Sequence, residues 1–206
     1  LLVGPKYFVF RQEFVNRIGG TRVIAERVGN VLVTIGGSDP LGLTPKVGAA
    51  LLSLKDAALR VRAVIGPGFG DNVRAAIRAI FGPTDGRFST LDHGADLAVQ
   101  MLWADLAITG DGLTKYETAA TGTPSIMLSG AGSAKELNLE FELAGTTCHL
   151  GDGEELSVAT IAEAGRRLIC DFAKRQKMSE NGMRMVDGEG LERVFSSFPQ
   201  EVFPHA

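Results

Sequence analysis

Two glycine-rich turns carry the residues best suited to chemistry. The first, Gly36-Gly37-Ser38-Asp39-Pro40, follows a short β-branched run. Its glycines let backbone approach a ligand closely, and Ser38 offers a hydroxyl to a phosphate. The second, Gly110-Asp111-Gly112-Leu113-Thr114-Lys115-Tyr116-Glu117, feeds a helix. Free N–H groups and the dipole at a helix start favour an anion. Glu117 falls one turn further on, within reach of a ribose diol. Each turn also has a structural reading. Ser38 or Asp39 can make an Asx-type bond in a tight turn. Thr114 and Glu117 have the T-x-x-E spacing of a capping box, in which the carboxylate serves only backbone N–H groups. Neither turn is G-x-G-x-x-G, so a dinucleotide fingerprint is absent.

Other chemistry-bearing positions are sparser. His93 follows a strand in Leu91-Asp92-His93-Gly94, at the same sheet edge as the two turns; a lone loop histidine is either catalytic or incidental. Val186-Asp187-Gly188-Glu189-Gly190-Leu191-Glu192-Arg193 reads as punctuation before a helix, with Asp187 as its cap. The three histidines, His93, His149 and His205, are far apart, and no cysteine–histidine cluster suggests a metal site. Nothing calls for a cofactor. Cys148 and Cys170 form no C-x-x-C, which suits a reducing cytoplasm and two apolar thiols.

The elements that must position these turns alternate in type. Val31–Ile35, Arg60–Ile65, Arg87–Leu91, Leu106–Thr109, Ser125–Leu128 and Thr146–Leu150 read as strands. Helical stripes fall between them, over Thr44–Leu54, Val73–Phe81, Ala95–Trp103, Leu113–Ala120 and about Ser133–Ala144. Glu154–Cys170 and Gly190–Ser197 read as helices after the last strand. Repeated β-α-β units imply a parallel sheet covered on both faces. Six strands suit the doubly wound, Rossmann-like order 3-2-1-4-5-6, in which ligands bind where the strand order reverses. That crevice lies between the loops after the first and fourth strands, which are the two turns above.

Composition excludes several classes. The 206 residues suit one domain, and a net charge of −3 argues against a dedicated nucleic-acid binder. A spanning helix needs about 18 apolar residues, and the longest apolar stretches are broken by Asp96, Gln100 and Asp105. Residues 1–20, with Gly4-Pro5 and Arg11-Gln12-Glu13-Phe14, do not fit the alternation and read as a linker or crossover from a preceding domain. Residues 21–206 form the domain proper.

These features, in this order, resemble the UDP-sugar hydrolases of the pseudaminic-acid pathway, the PseG type. The resemblance runs through Gly4-Pro5-Lys6-Tyr7 with Arg11-Gln12-Glu13-Phe14, Leu32-Val33-Thr34-Ile35-Gly36-Gly37-Ser38-Asp39-Pro40 and Ala104–Thr109. It continues in the second glycine turn, Gly122-Thr123-Pro124-Ser125, Met178-Ser179 and Val186–Gly190 with Arg193. That family is similar to the GT-B glycosyltransferases, including the MurG type. The resemblance implies the C-terminal half of a GT-B architecture, binding a nucleotide sugar, UDP-linked, across a cleft from an absent N-terminal half. The catalytic histidine would lie in a glycine-rich loop of that half. Ser38 and the backbone around Gly112 and Thr114 would hold the diphosphate. Glu117 would take the ribose, and the segment near Leu97 would frame the uracil.

Two positions depart from the family's pattern. Asp111 stands where a glycine is usual, and a carboxylate about 6 Å from a diphosphate costs roughly 0.7–3 kcal/mol per charge pair unless a cation such as Lys115 offsets it. Gly130-Ala131-Gly132-Ser133-Ala134-Lys135-Glu136 lacks the family's Asn-Gln. Four readings follow: a UDP-sugar hydrolase domain, the donor-binding domain of a glycosyltransferase, a non-catalytic nucleotide-sugar sensor, or a cytoplasmic scaffold, which would carry an apolar surface patch.

Overall fold

The computed structural model describes residues 1–130 and 135–198. The expected Ala134 departure, and the start of the helix expected from Ser133, lie outside the described residues. Six strands, β1 (Asn30–Thr34), β2 (Arg60–Ile65), β3 (Phe88–Asp92), β4 (Leu106–Gly110), β5 (Ser125–Ser129) and β6 (Thr147–Asp152), form one sheet. All neighbours are parallel and the order is β3-β2-β1-β4-β5-β6, the doubly wound order expected.

The helices are α1 (Gln12–Val15), α2 (Leu43–Ser53), α3 (Asp71–Phe81), α4 (Leu97–Trp103) and α5 (Thr114–Ala120), then α6 (Lys135–Leu143), α7 (Val158–Cys170), α8 (Phe172–Met185) and α9 (Gly190–Ser196). Strand alternation divides the core. Val31 and Val33 of β1 point to one face with Leu106 and Ile108 of β4, against apolar residues of α2, α3 and α7. Leu32 and Ala107 point to the other face, against Phe14 of α1 and Ala98 and Met101 of α4. The central strands are buried on both faces, which is why they read as unbroken apolar runs.

The helix α8 was not legible in the sequence. It carries no apolar stripe, and Asp171 starts it by accepting from the Lys174 N–H at 2.9 Å. Tertiary contacts hold it: it packs on α5, and its Arg175 is fully buried. That guanidinium donates to the carbonyls of Leu168, Ile169 and Ala25 at 2.7 Å, and to Glu26 at 2.9 Å. One side chain thus ties the irregular segment before β1 to the end of α7.

The first twenty residues also pack on this body. Phe14 is fully buried, and Lys6 and Arg193 both bond Asp187, at 3.3 Å and, in bidentate form, 2.6 and 2.8 Å. These bonds hold the Asp187 carboxyl far below the usual carboxylate range, with Arg193 the main cause. Asp187 is a clasp between the two ends of the described chain; the N-cap of α9 is Glu189.

Replacing Arg175 by Met leaves four carbonyls without their charged donor. We expect Arg175→Met to lose about 3 kcal/mol or more of stability in urea denaturation, with Arg175→Lys recovering only part because it lacks the planar fork. An unchanged urea midpoint for Arg175→Met would contradict this account.

Candidate functional site

The register of the central pair places the site. Val31 lies beside Leu106 and Thr34 beside Thr109, so β1 and β4 end side by side and release both glycine turns at one edge. Asp105 fixes that register from the opposite end, accepting from the Gly29 and Asn30 N–H groups at 2.9 and 2.8 Å. The turns are then pressed together. A Cβ on Gly110 would stand 2.5 Å from the Ile35 carbonyl oxygen, and one on Gly66 would stand 2.4 Å from that of Gly37. Only glycine allows both approaches.

Between these loops is a cleft of about 540 Å³. Its wall includes Gly36 and Gly37 from the first turn and Gly112, Leu113, Thr114 and Glu117 from the second. Ser38, Asp39 and Gly110 are not part of that wall. Ser38 is exposed beside it. Asp39 is buried, and its carboxylate accepts from the Leu43 and Thr44 N–H groups at 2.7 Å, which starts α2. In place of the Asx-type bond to an N–H two residues on, the Asp39 carboxylate reaches the N–H groups four and five residues on. Thr34, Val64, Pro67, His93 and Leu97 complete much of the cleft.

Glu117 does not form the capping box. The N-cap of α5 is Leu113, with no side-chain cap bond. The Glu117 carboxylate, on a residue only 6% exposed, instead accepts from Arg11 at 2.9 Å. Arg11 was not singled out in the sequence as a site residue; its guanidinium crosses from the N-terminal segment into the cleft wall. A run of rings sets that crossing. Phe14 and Phe10 lie 5.9 Å apart, Phe10 and Phe8 4.7 Å, and Phe8 stacks on Tyr116 of α5 at 4.4 Å. Such pairs favour defined geometry beyond simple burial.

Burial raises the Glu117 pKa above its ordinary value; the hydrogen bond and charge of Arg11 oppose this, and Glu13 adds to it. Asp111 has partners that the sequence did not indicate. Its carboxylate is directed to the end of β5, where it accepts from the Gly130 N–H at 3.3 Å and the Asn138 amide at 3.1 Å. Lys115, one helical turn on, bonds the Asp111 carbonyl at 3.1 Å and the Asn138 amide oxygen at 2.7 Å.

The fold and the place of the cleft define a Rossmann-like domain of the GT-B type, matching the C-terminal halves of such proteins. No family model matches the chain. It is 27% identical to the spore coat polysaccharide biosynthesis protein SpsG of Bacillus subtilis, over 93% of this chain and 56% of that protein. Among solved structures it resembles MurG of Acinetobacter baumannii, with a TM-score of 0.64 and 18% identity, over 84% of this chain and 50% of that one. It also resembles the UDP-GlcNAc 2-epimerase of Neisseria meningitidis, whose structure holds UDP-GlcNAc. There the TM-score is 0.64 and the identity 17%, over 82% of this chain and 44% of that one. The chain thus spans about half the length of each of these proteins.

The Glu117 shift has a sign that can be checked. A raised folded-state pKa means the folded chain holds more protons than the unfolded chain between the two values, so ionisation costs stability as pH rises through that window. Glu117→Gln removes this cost. Its stability relative to wild type should rise from about pH 4, the ordinary carboxylate value, towards neutrality. Urea denaturation across that range measures it, and a difference that does not change with pH would refute the burial account.

Proposed function

We propose that this chain is the nucleotide-holding half of an enzyme that acts on a UDP-linked sugar. The leading reading is a hydrolase of the PseG type, in nonulosonic-acid or surface-polysaccharide biosynthesis. One observation carries it: a single cleft at the strand-order reversal gathers both glycine turns, Glu117 and Arg11. The UDP-GlcNAc held by the Neisseria structure and the polysaccharide role of SpsG support the same reading.

In this reading residues 1–20 are the crossover from a preceding half, and residues 21–206 are the nucleotide domain. The backbone of Gly36, Gly37, Gly112, Leu113 and Thr114, with the Ser38 hydroxyl at the mouth, faces the diphosphate, and Gly110 allows the close approach to Ile35 behind them. Asp39 contributes by fixing the start of α2 behind the first turn. Glu117 accepts from the ribose diol, exchanging one partner for another as Arg11 swings to the phosphates. The base that activates water belongs to the preceding half. This half stabilises the charge that develops on the departing phosphate.

A glycosyltransferase is the second reading, favoured by the likeness to MurG. It uses the same cleft, with a sugar hydroxyl in place of water. A non-catalytic nucleotide-sugar sensor is the third reading, favoured by the departures at Asp111, whose carboxylate bonds Gly130 and Asn138, and at Ala134. Among the described residues no helix is long and apolar enough to cross a membrane. Both cysteines are free, and we place the enzyme in the cytoplasm.

Calorimetric titration of the chain tests the reading. UDP should bind with a Kd below about 1 mM, roughly 4 kcal/mol of binding free energy. 2′,3′-Dideoxy-UDP should bind about tenfold more weakly, the worth of one charge-assisted hydrogen bond, and Glu117→Gln should erase that difference. Absence of UDP binding at millimolar ligand would overturn the nucleotide site.

A further inference from the structure

Behind the second glycine turn is a polar cluster that the proposed chemistry does not use. Asn138 of α6 is fully buried and Lys115 of α5 is 5% exposed. The Lys115 ammonium donates to the Asp111 carbonyl and the Asn138 amide oxygen, at 3.1 and 2.7 Å. The Asn138 amide nitrogen donates to the Asp111 carboxylate at 3.1 Å and to the Ser129 hydroxyl at 3.4 Å. Ser129 meets His149 at 2.7 Å. The ammonium is walled by the Tyr116 and Phe141 rings, whose centroids are 5.8 and 5.6 Å away. Among the described residues, the charged groups facing it are Asp111 and Glu140.

We propose that Lys115 is a positioning residue for the second turn. Its ammonium cancels the Asp111 charge and, through the Asp111 carbonyl and Asn138, keeps that carboxylate directed to the end of β5 and out of the cleft. Three features support this. The ammonium bonds the backbone of the turn itself, so its place and the turn's conformation are coupled. Asn138 is bonded to both charged groups, donating to one and accepting from the other. Burial favours the neutral amine, with Asp111 and then Glu140 opposing that; a lysine is therefore retained there against its own desolvation. Without it, the Asp111 carboxylate, one residue from the cleft-lining Gly112, would lose this ammonium as a counter-charge.

The inference deepens the nucleotide-site reading and rests on it for the ligand, but the positioning itself can be measured without one. Native-state hydrogen exchange on the wild type and Lys115→Met reads the turn directly. Residues 110–114 should exchange at least about tenfold faster in the variant, as for a local opening separate from global unfolding. Unchanged exchange in a folded Lys115→Met would overturn the proposal.

The second arm compares UDP with uridine. Lys115→Met should weaken UDP about tenfold, the scale of one unscreened charge pair near the surface, and leave uridine unchanged. Asp111→Asn/Lys115→Met, which removes both charges and guards against a variant that fails to fold, should restore most of the UDP affinity. Equal loss of UDP and uridine, or no recovery in the double variant, would overturn the charge-cancelling role. If the wild type binds neither ligand while the exchange result holds, the nucleotide reading fails and the positioning role stands.

Discussion

The pairing of β1 with β4 is the constraint on which the rest depends. These strands are adjacent in the sheet but separated in the chain by two full β-α units, so the strand order reverses between them. Consecutive helices therefore leave the sheet in opposite directions, and a crevice opens at the carboxyl ends. Asp105 locks the pair at the far end by accepting two N–H groups from the segment that begins β1. A slip of one residue would turn Val31 and Val33 from one core cluster to the other and carry Leu32 the opposite way. It would also separate Gly110 from the Ile35 carbonyl. Core packing and site geometry thus share one register.

Around that crevice the chain handles charge in two ways. Glu117 is inside the cleft wall and is neutralised by Arg11, a residue from outside the sheet whose guanidinium is still largely exposed. That pair is open to exchange, because each partner has water or a ligand as an alternative. Asp111 and Lys115 are one and five residues past the end of β1's partner strand, yet both bond Asn138, which in turn donates to Ser129. That group is more enclosed: Lys115 and Asn138 are buried, and the bonds among them and Asp111 act together. On the proposed reading, an open pair in the cleft beside an enclosed cluster behind it lets a ligand compete for one carboxylate without disturbing the other.

Legibility followed burial pattern and local spacing. The six strands and their order were readable because β-branched runs alternate with helical stripes, and this alternation has one common topological solution. The cleft was readable for the same reason, since topology alone puts both glycine turns at one edge. Side-chain commitments were not. Asp39 and Glu117 each had two local readings, and the choice fell opposite ways: Asp39 takes the local backbone partners, while Glu117 ignores its capping geometry for Arg11. What decides between them is a partner 106 positions away in sequence, which no window of local sequence contains. Likewise α8 is held by Arg175 reaching carbonyls 149 and 150 positions upstream. A helix without an apolar stripe gives no periodic signal, because its stabilisation comes from such long-range bonds. The partners of Asp111 were not legible for a related reason: proximity in sequence to the turn says nothing of which way a carboxylate points.

On the proposed reading, the two candidate reactions differ less in this half than their names suggest. Hydrolysis and glycosyl transfer both break the bond between the sugar's anomeric carbon and the diphosphate. Both build negative charge on the same departing oxygen. Donors aimed at that oxygen help only to the extent that they bind the developing charge better than the ground-state ester. The enclosed cluster serves this requirement, because Asp111 without its Lys115 counter-charge would oppose charge growing on the diphosphate more strongly than it would oppose the resting ligand. The Arg11–Glu117 pair serves it too, since a guanidinium released by ribose binding becomes available as the phosphate charge rises. The identity of the nucleophile then rests with whatever faces this cleft from the other half. A water-activating base and a sugar-acceptor groove are interchangeable partners for the same leaving-group site.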